Sequence, residues 1–210
     1  MYKALAILVA SACVAAAQAV NLDIHGMVPG FYQTVTINHG SGNVNVYSGA
    51  QSVSIDGAPD VPLYCVDLDH NNQNGFSYGA TVNPVGVLAN AAQIANLFSN
   101  SFADVTDADT AAAFQLVLWD VVVDGGDGMA AGTFTASGLS GGVASKVSLY
   151  AATLNTGGPD SYNLTVYVPT SHGANGNNYQ ALIGAEGVPE PATFLVLGAA
   201  AILARKRKKA

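Results

Sequence analysis

The hydrophobic period changes twice along this chain, and that change limits the fold more than any single residue does. Residues 31–38 (FYQTVTIN) alternate apolar and polar side chains, and 43–48 and 51–55 do so again, with Gly or Asn at the breaks. Alternation of this kind marks strands with one buried face. Residues 63–68 (LYCVDL) predict a further strand, with Leu63, Cys65 and Asp67 on one face and Tyr64, Val66 and Leu68 on the other, before the polar loop HNNQNG. Over 87–98 the period lengthens, and Leu88, Ala91, Ala92, Ala95 and Phe98 fall at helical spacing. A second helix is predicted from Thr106 through AAAFQLVLWDVV. Thr106 is its expected N-cap, with Asp109 three residues on in the manner of a capping box, and DGGDG at 124–128 stops it. One of its stripes is Ala111, Phe114, Leu118 and Val122; the neighbouring one is Ala112, Gln115 and Trp119. Residues 132–136, 162–168 (YNLTVYV) and 179–183 (YQALI) read as strands again, and 146–154 as a short helix. Strands, then helices, then strands predict a mainly β fold of the α+β class: a β-sandwich or barrel-like core with two helices between the strand regions.

The two ends of the chain read as addresses. Lys3, an apolar stretch over 4–17 and the small residues of Ala17-Gln18-Ala19 have the form of a secretory signal peptide, residues 1–19, cleaved after Ala19. Acylation at Cys13 is disfavoured, because Ala10 stands where a large aliphatic residue is expected. At the other end, Pro189-Glu190-Pro191 precedes an apolar run over 192–204 and the basic block 205–209. The apolar run is shorter than the ~17 residues that cross a bilayer unaided, and its basic end belongs on the cytoplasmic side. Motif, helix and basic tail in this order resemble the PEP-CTERM sorting signal, here residues 188–210. That resemblance implies transient membrane anchoring through 192–204 and processing by an exosortase-type membrane enzyme. It also implies delivery by way of the inner membrane to the cell surface or an extracellular matrix.

The body between these signals, residues 20–187, has the length of one domain. Of the chain's seven basic residues, Lys3 lies in the leader and five lie in the tail, which leaves Lys146; all fourteen acidic residues fall between Asp23 and Glu190. Such a body has no cluster of Lys and Arg to hold phosphates, which argues against nucleic acid and anionic lipid as partners. Loss of Cys13 with the leader leaves Cys65 alone. No internal disulfide can then brace the domain, and Cys65 is a buried filler, half of an intermolecular disulfide or a reactive group.

Gln115 is the residue that does not belong. An amide between Phe114 and Leu116, one turn before Trp119, costs about 1–3 kcal/mol if it is buried without partners. Read together, YCVD at 64–67 and FQLVLWDVV at 114–122, with an alanine-rich helix between them, resemble the paired motifs of bacterial thioester domains. In that family a Cys thiol and a Gln side chain condense with loss of ammonia. The resemblance covers roughly residues 60–125. It implies a crosslink between Cys65 and Gln115 with Tyr64, Phe114 and Trp119 packed around it, and an amine-bearing surface or polymer as the partner. A lysine-poor body fits, since it holds few amines of its own to consume such a bond.

Other constellations are thinner. Asp67, Asp69 and Asn71 alternate as calcium ligands do, but Asn72 stands where the loop needs glycine. Asp124 and Asp127 read as turn residues, and His25, His39, His70 and His172 show no metal-ligand spacing. No metal, no cofactor and no turnover catalysis are expected. The leading expectation is a surface or matrix protein that attaches covalently through Cys65 and Gln115. The alternatives are a non-reactive structural matrix or biofilm protein of the same fold, and a calcium-assisted carbohydrate-binding module.

Overall fold

The first strand is 20 residues long and changes partners along its length. The structure, a computed structural model, describes residues 18–158, 161–171 and 179–188. Strand β1 (Ala19–Asn38) pairs antiparallel with β2 (Asn43–Ile55) from Leu22↔Ile55 to Asn38↔Asn43. Its first residues also pair with β4 (Ser77–Pro84), and its last three with the short β5 (Thr135–Ser137). One strand can serve three neighbours because it is broken by two register shifts, between Ile24 and Met27 and between Met27 and Tyr32. Bulges of this kind bend a strand and let a sheet turn a corner.

The sheet closes on itself. Strands β3 (Val61–Cys65), β6 (Tyr162–Pro169) and β7 (Leu182–Gly187) complete the antiparallel ring β1-β2-β3-β7-β6-β4-β1, with β5 added on the free part of β1. Of the two cores expected from the sequence, the barrel is the one that forms, in a mainly antiparallel α+β fold. Closure leaves the ring without free edges.

Three helices complete the domain: α1 (Ala91–Ser101) and α2 (Ala108–Asp124) between β4 and β5, and α3 (Gly141–Ala151) between β5 and β6. Every residue of α2 from Thr110 to Val121 is buried. A helix apolar on all sides has to be enclosed, and α2 packs on β1 and β2 beneath α1 and α3. Burying its larger side chains, Phe114, Leu116, Leu118 and Trp119, favours folding by about 1.5–3 kcal/mol each. The start of α1 holds its far end: the N-cap residue Asn90 donates to Val121 O and Gln93 to Gly125 O, at 2.8 and 3.0 Å.

Several expected boundaries move, each for a physical reason. The N-cap of α2 is Asp107, not Thr106: Asp107 accepts from the Thr110 N–H, and the Thr110 hydroxyl accepts in return from the Asp107 N–H. The first helix begins at Ala91, since residues 85–87 form a single 3₁₀ turn. Residues 43–48 and 51–55 belong to one strand. The strand expected over 132–136 shrinks to Thr135–Ser137, because the Asp124 carboxylate takes the Thr133 and Phe134 N–H groups. The strand expected from 179 begins at Leu182, because Tyr179 is stacked on Tyr78 at 4.4 Å instead. Residues 1–17 of the leader, the motif Pro189, Glu190 and Pro191, the run 192–204 and the basic block lie outside the described residues. Among those described, no helix is long and apolar enough to cross a membrane.

Gly49 marks the point where β2 meets the displaced part of β1. Its φ is +146°, and a Cβ there would meet the Tyr32 Cα at 2.7 Å and the Phe31 carbonyl. Gly49→Ala is therefore expected to cost about 2–4 kcal/mol, read as a lower urea midpoint with an unchanged m-value. A midpoint within error of wild type would show that β1 and β2 do not approach this closely.

Candidate functional site

Strand β3 ends at Cys65 with a backbone problem. Its ladder with β2 runs only from Val53↔Val61 to Gln51↔Leu63. On its other edge the Val66 N–H donates to Ala181 O at 3.0 Å. Backbone groups of successive strand residues point to opposite edges. The N–H and C=O of Cys65 thus face the β2 side, past the last rung. Buried and unpaired they would cost several kcal/mol.

The Gln115 side chain supplies the missing rung. The Cys65 N–H donates to Gln115 Oε1 at 3.0 Å, and Gln115 Nε2 donates to Cys65 O at 2.8 Å. The amide behaves as a piece of strand delivered from a helix, and it is the answer to how a fully buried glutamine is tolerated in α2. Two elements fix its position. The capping box and the αL residue Gly125 set the ends of α2, and Ser48 of β2 donates its hydroxyl to Ala112 O at 2.9 Å, one turn before Gln115.

The Cys65 thiol is buried as well, and it is the free cysteine of the described residues. Its Sγ lies 2.9 Å from Asp67 O and 3.3 Å from Asp67 N, at the start of a tight turn. Burial pushes the thiol up to about 12, against weaker opposing effects from the Asp67 backbone and Trp119. The Trp119 indole N–H has no hydrogen-bond partner by geometry, yet it stands close enough to act on the sulfur. Trp119 also packs against Phe134, with ring centroids 6.3 Å apart.

The sequence also pointed to Tyr64 and Phe114. These two rings meet edge to face at 5.0 Å, and Phe98 and Phe102 join the same cluster. They back the site. The open side is a cleft of about 780 Å³ that reaches Cys65, Gln115 and Trp119 and is lined further out by His39, Tyr47 and His70. Asp67 is committed to its own turn: one carboxylate oxygen accepts from the Asp69 N–H at 3.0 Å, and the other lies 2.6 Å from His70 Nδ1. Sequence reasoning passed over Gln180, whose Nε2 donates to Asp67 O and His70 O and so holds this turn beside the cleft. It passed over Asp120 too, the third member of a carboxylate cluster with Asp124 and Asp127. Spacing i, i+4 from Asp124 on a helix was the available signal.

No family model matches this sequence, and no curated protein matches it. Among solved structures, the N-terminal domain of the Streptococcus pyogenes pilus tip adhesin Cpa is similar over 78% of this chain and 98% of that one, with 14% identity and a TM-score of 0.44. The N-terminal thioester domain of the fibronectin-binding protein SfbI from Streptococcus pyogenes is similar over 78% of this chain and 100% of that one, with 16% identity and a TM-score of 0.43.

Two outcomes follow for protein in which Cys65 and Gln115 are not condensed. Gln115→Leu leaves both Cys65 backbone groups unsatisfied and is expected to destabilise by about 2–4 kcal/mol in urea; a loss under about 0.5 kcal/mol would mean that water or a neighbour replaces the amide. The second outcome concerns pH. The folded thiol titrates near 12, against an ordinary value of 9.0. A raised acid stabilises the fold fully below the unfolded value and loses that contribution as pH rises from about 9 towards 12. Cys65→Ala should flatten that part of the stability profile.

Proposed function

We propose that this protein is exported to the cell surface or an extracellular matrix, and that it attaches there to amines through a thioester between Cys65 and Gln115. One observation carries the reading: the Gln115 amide is held on both sides by the Cys65 backbone, in a buried site at the end of an open cleft.

The geometry suits the chemistry. The Cys65 N–H already sits on Gln115 Oε1, the oxygen that gains negative charge when sulfur adds to the side-chain carbonyl carbon. The S–Cδ bond forms, the Cδ–Nε2 bond breaks, and ammonia leaves carrying the thiol proton. In the second step an amine entering by the cleft attacks Cδ, an amide forms, and the proton of the amine goes to the departing Cys65 sulfur. The unpartnered Trp119 N–H is placed to steady that sulfur as charge develops on it. Apolar walls slow hydrolysis. Lys146, the lysine among the described residues, is held by Asp104 at 2.7 Å and does not compete for the bond.

A second reading has its own support. The same two hydrogen bonds give both Cys65 backbone groups and both polar atoms of the Gln115 amide a partner, as a purely structural tie in a non-reactive matrix protein would. Intact mass separates the two. The thioester reading expects freshly purified protein to be lighter than its sequence by one ammonia, and expects Cys65→Ala and Gln115→Ala each to abolish the deficit. Full mass with glutamine still at 115 favours the structural protein. A glutamate found at 115 by peptide mapping, and absent from Cys65→Ala, means that the bond formed and water opened it.

Export is the part of the proposal that rests on sequence. Surface protein mapped by peptides should lack residues 205–209, and replacing Pro189 or Glu190 should leave it in the inner membrane. Recovery of the basic tail from the surface would refute exosortase-type processing.

A further inference from the structure

A second polar site lies beyond Gln115 on the same helix. Asp120 is in α2, Asp124 closes the helix, and Asp127 follows in the loop towards β5. One carboxylate oxygen from each lies within 4.8 Å of the others. Carboxylates cluster on many surfaces, but here two of the oxygens are buried and unsatisfied. Asp120 is 0% exposed; its Oδ2 accepts from the Gly128 N–H at 3.1 Å, and its Oδ1 has no partner. Asp124 Oδ2 accepts from the Thr133 and Phe134 N–H groups, and its Oδ1 is likewise buried without a partner.

Backbone N–H groups are the donors to this cluster, and no Lys or Arg among the described residues is paired with it. Lys146 is their one Lys or Arg, and it is engaged by Asp104. A buried carboxylate oxygen without a donor or a cation is among the costliest groups a fold can hold. The backbone is shaped to the cluster: Gly132, at φ +68°, approaches so closely that a Cβ would stand 2.7 Å from Asp127 Oδ1 and would also strike Asp124. Asp127 is exposed and leaves one side open to water.

We propose that Asp120, Asp124 and Asp127 bind one divalent cation of the calcium type. Three hard carboxylate oxygens, with room for water on the Asp127 side, match the six to eight oxygen ligands and loose geometry that calcium takes. The crowding of like charges at Asp120, Asp124 and Asp127 is relieved when a cation sits among the three. The site also has a structural consequence. The loop it gathers delivers Phe134 against Trp119, so cation binding steadies the wall of the Cys65–Gln115 cleft.

The test uses the full chain after treatment with a chelator and dialysis, titrated calorimetrically with calcium chloride and separately with magnesium chloride. One saturable calcium site is expected, with weaker magnesium binding. At 100-fold excess over Kd the melting temperature should rise by about 5–10 °C. Asp127→Asn removes an exposed ligand and should weaken calcium binding by about tenfold or more with the fold intact. Asp120→Asn removes the buried charge, and should melt at the same temperature with calcium or with chelator. Absence of saturable heat from folded wild-type protein would overturn the proposal, as would calcium binding that Asp127→Asn and Asp120→Asn leave unchanged. Binding is read by calorimetry and melting alone, so the result is independent of whether the thioester forms.

Discussion

The pairing of one side-chain amide with one residue's backbone organises this molecule. Where β2 leaves β3, the Cys65 N–H and C=O have no strand to face, and Gln115 reaches out of α2 to meet both. That contact requires α2 to lie inside the domain, directly against the end of β3. The enclosing elements follow: β1 and β2 beneath the helix, α1 and α3 over it, and the ring of strands that keeps the site at its rim. Two hydrogen bonds contribute modestly to stability by themselves. Their weight lies in what would be left buried and unpaired without them.

The same contact sets out the chemistry. A buried thiol that resists ionisation is a poor nucleophile in bulk terms. In the proposed thioester reaction, the Cys65 N–H that already meets the amide carbonyl is a fixed donor that would offset the low thiolate population. Trp119 connects this site to the end of α2 through Phe134, and thus to the Asp120 cluster. One helix carries the amide, the indole and two of the three carboxylates within about two and a half turns.

Much of this was legible in the sequence, for local reasons. The switch of hydrophobic period located the helices between strands, and an amide in the run AAAFQLVLWDVV stood out because apolar helices do not keep Gln without cause. The partnership of Gln115 with Cys65, fifty positions away, came from resemblance to paired motifs; no spacing rule links a strand end to a helix that distant. Boundaries failed where a side chain outcompeted the ladder. Asp124 captured two N–H groups that the alternation at 132–136 had assigned to a strand. Strand β4 (SYGATVNP) escaped notice because Gly79, Asn83 and Pro84 disguise an alternation in which only Tyr78 and Ala80 are buried. Asp120 was passed over because next to Trp119 it reads as the polar face of a helix, although its i, i+4 spacing to Asp124 was there to be read.

Site-localised capture of an amine tests the central claim most directly. Native protein is incubated with a biotinylated primary amine, digested and sequenced by tandem mass spectrometry, with iodoacetamide reporting free thiol. The account predicts the label on the side chain of residue 115, alkylation of Cys65 in the same molecules, and neither in Cys65→Ala. Unlabelled native protein that retains an intact Gln115 amide, or label spread over other residues and indifferent to Cys65→Ala, would contradict it.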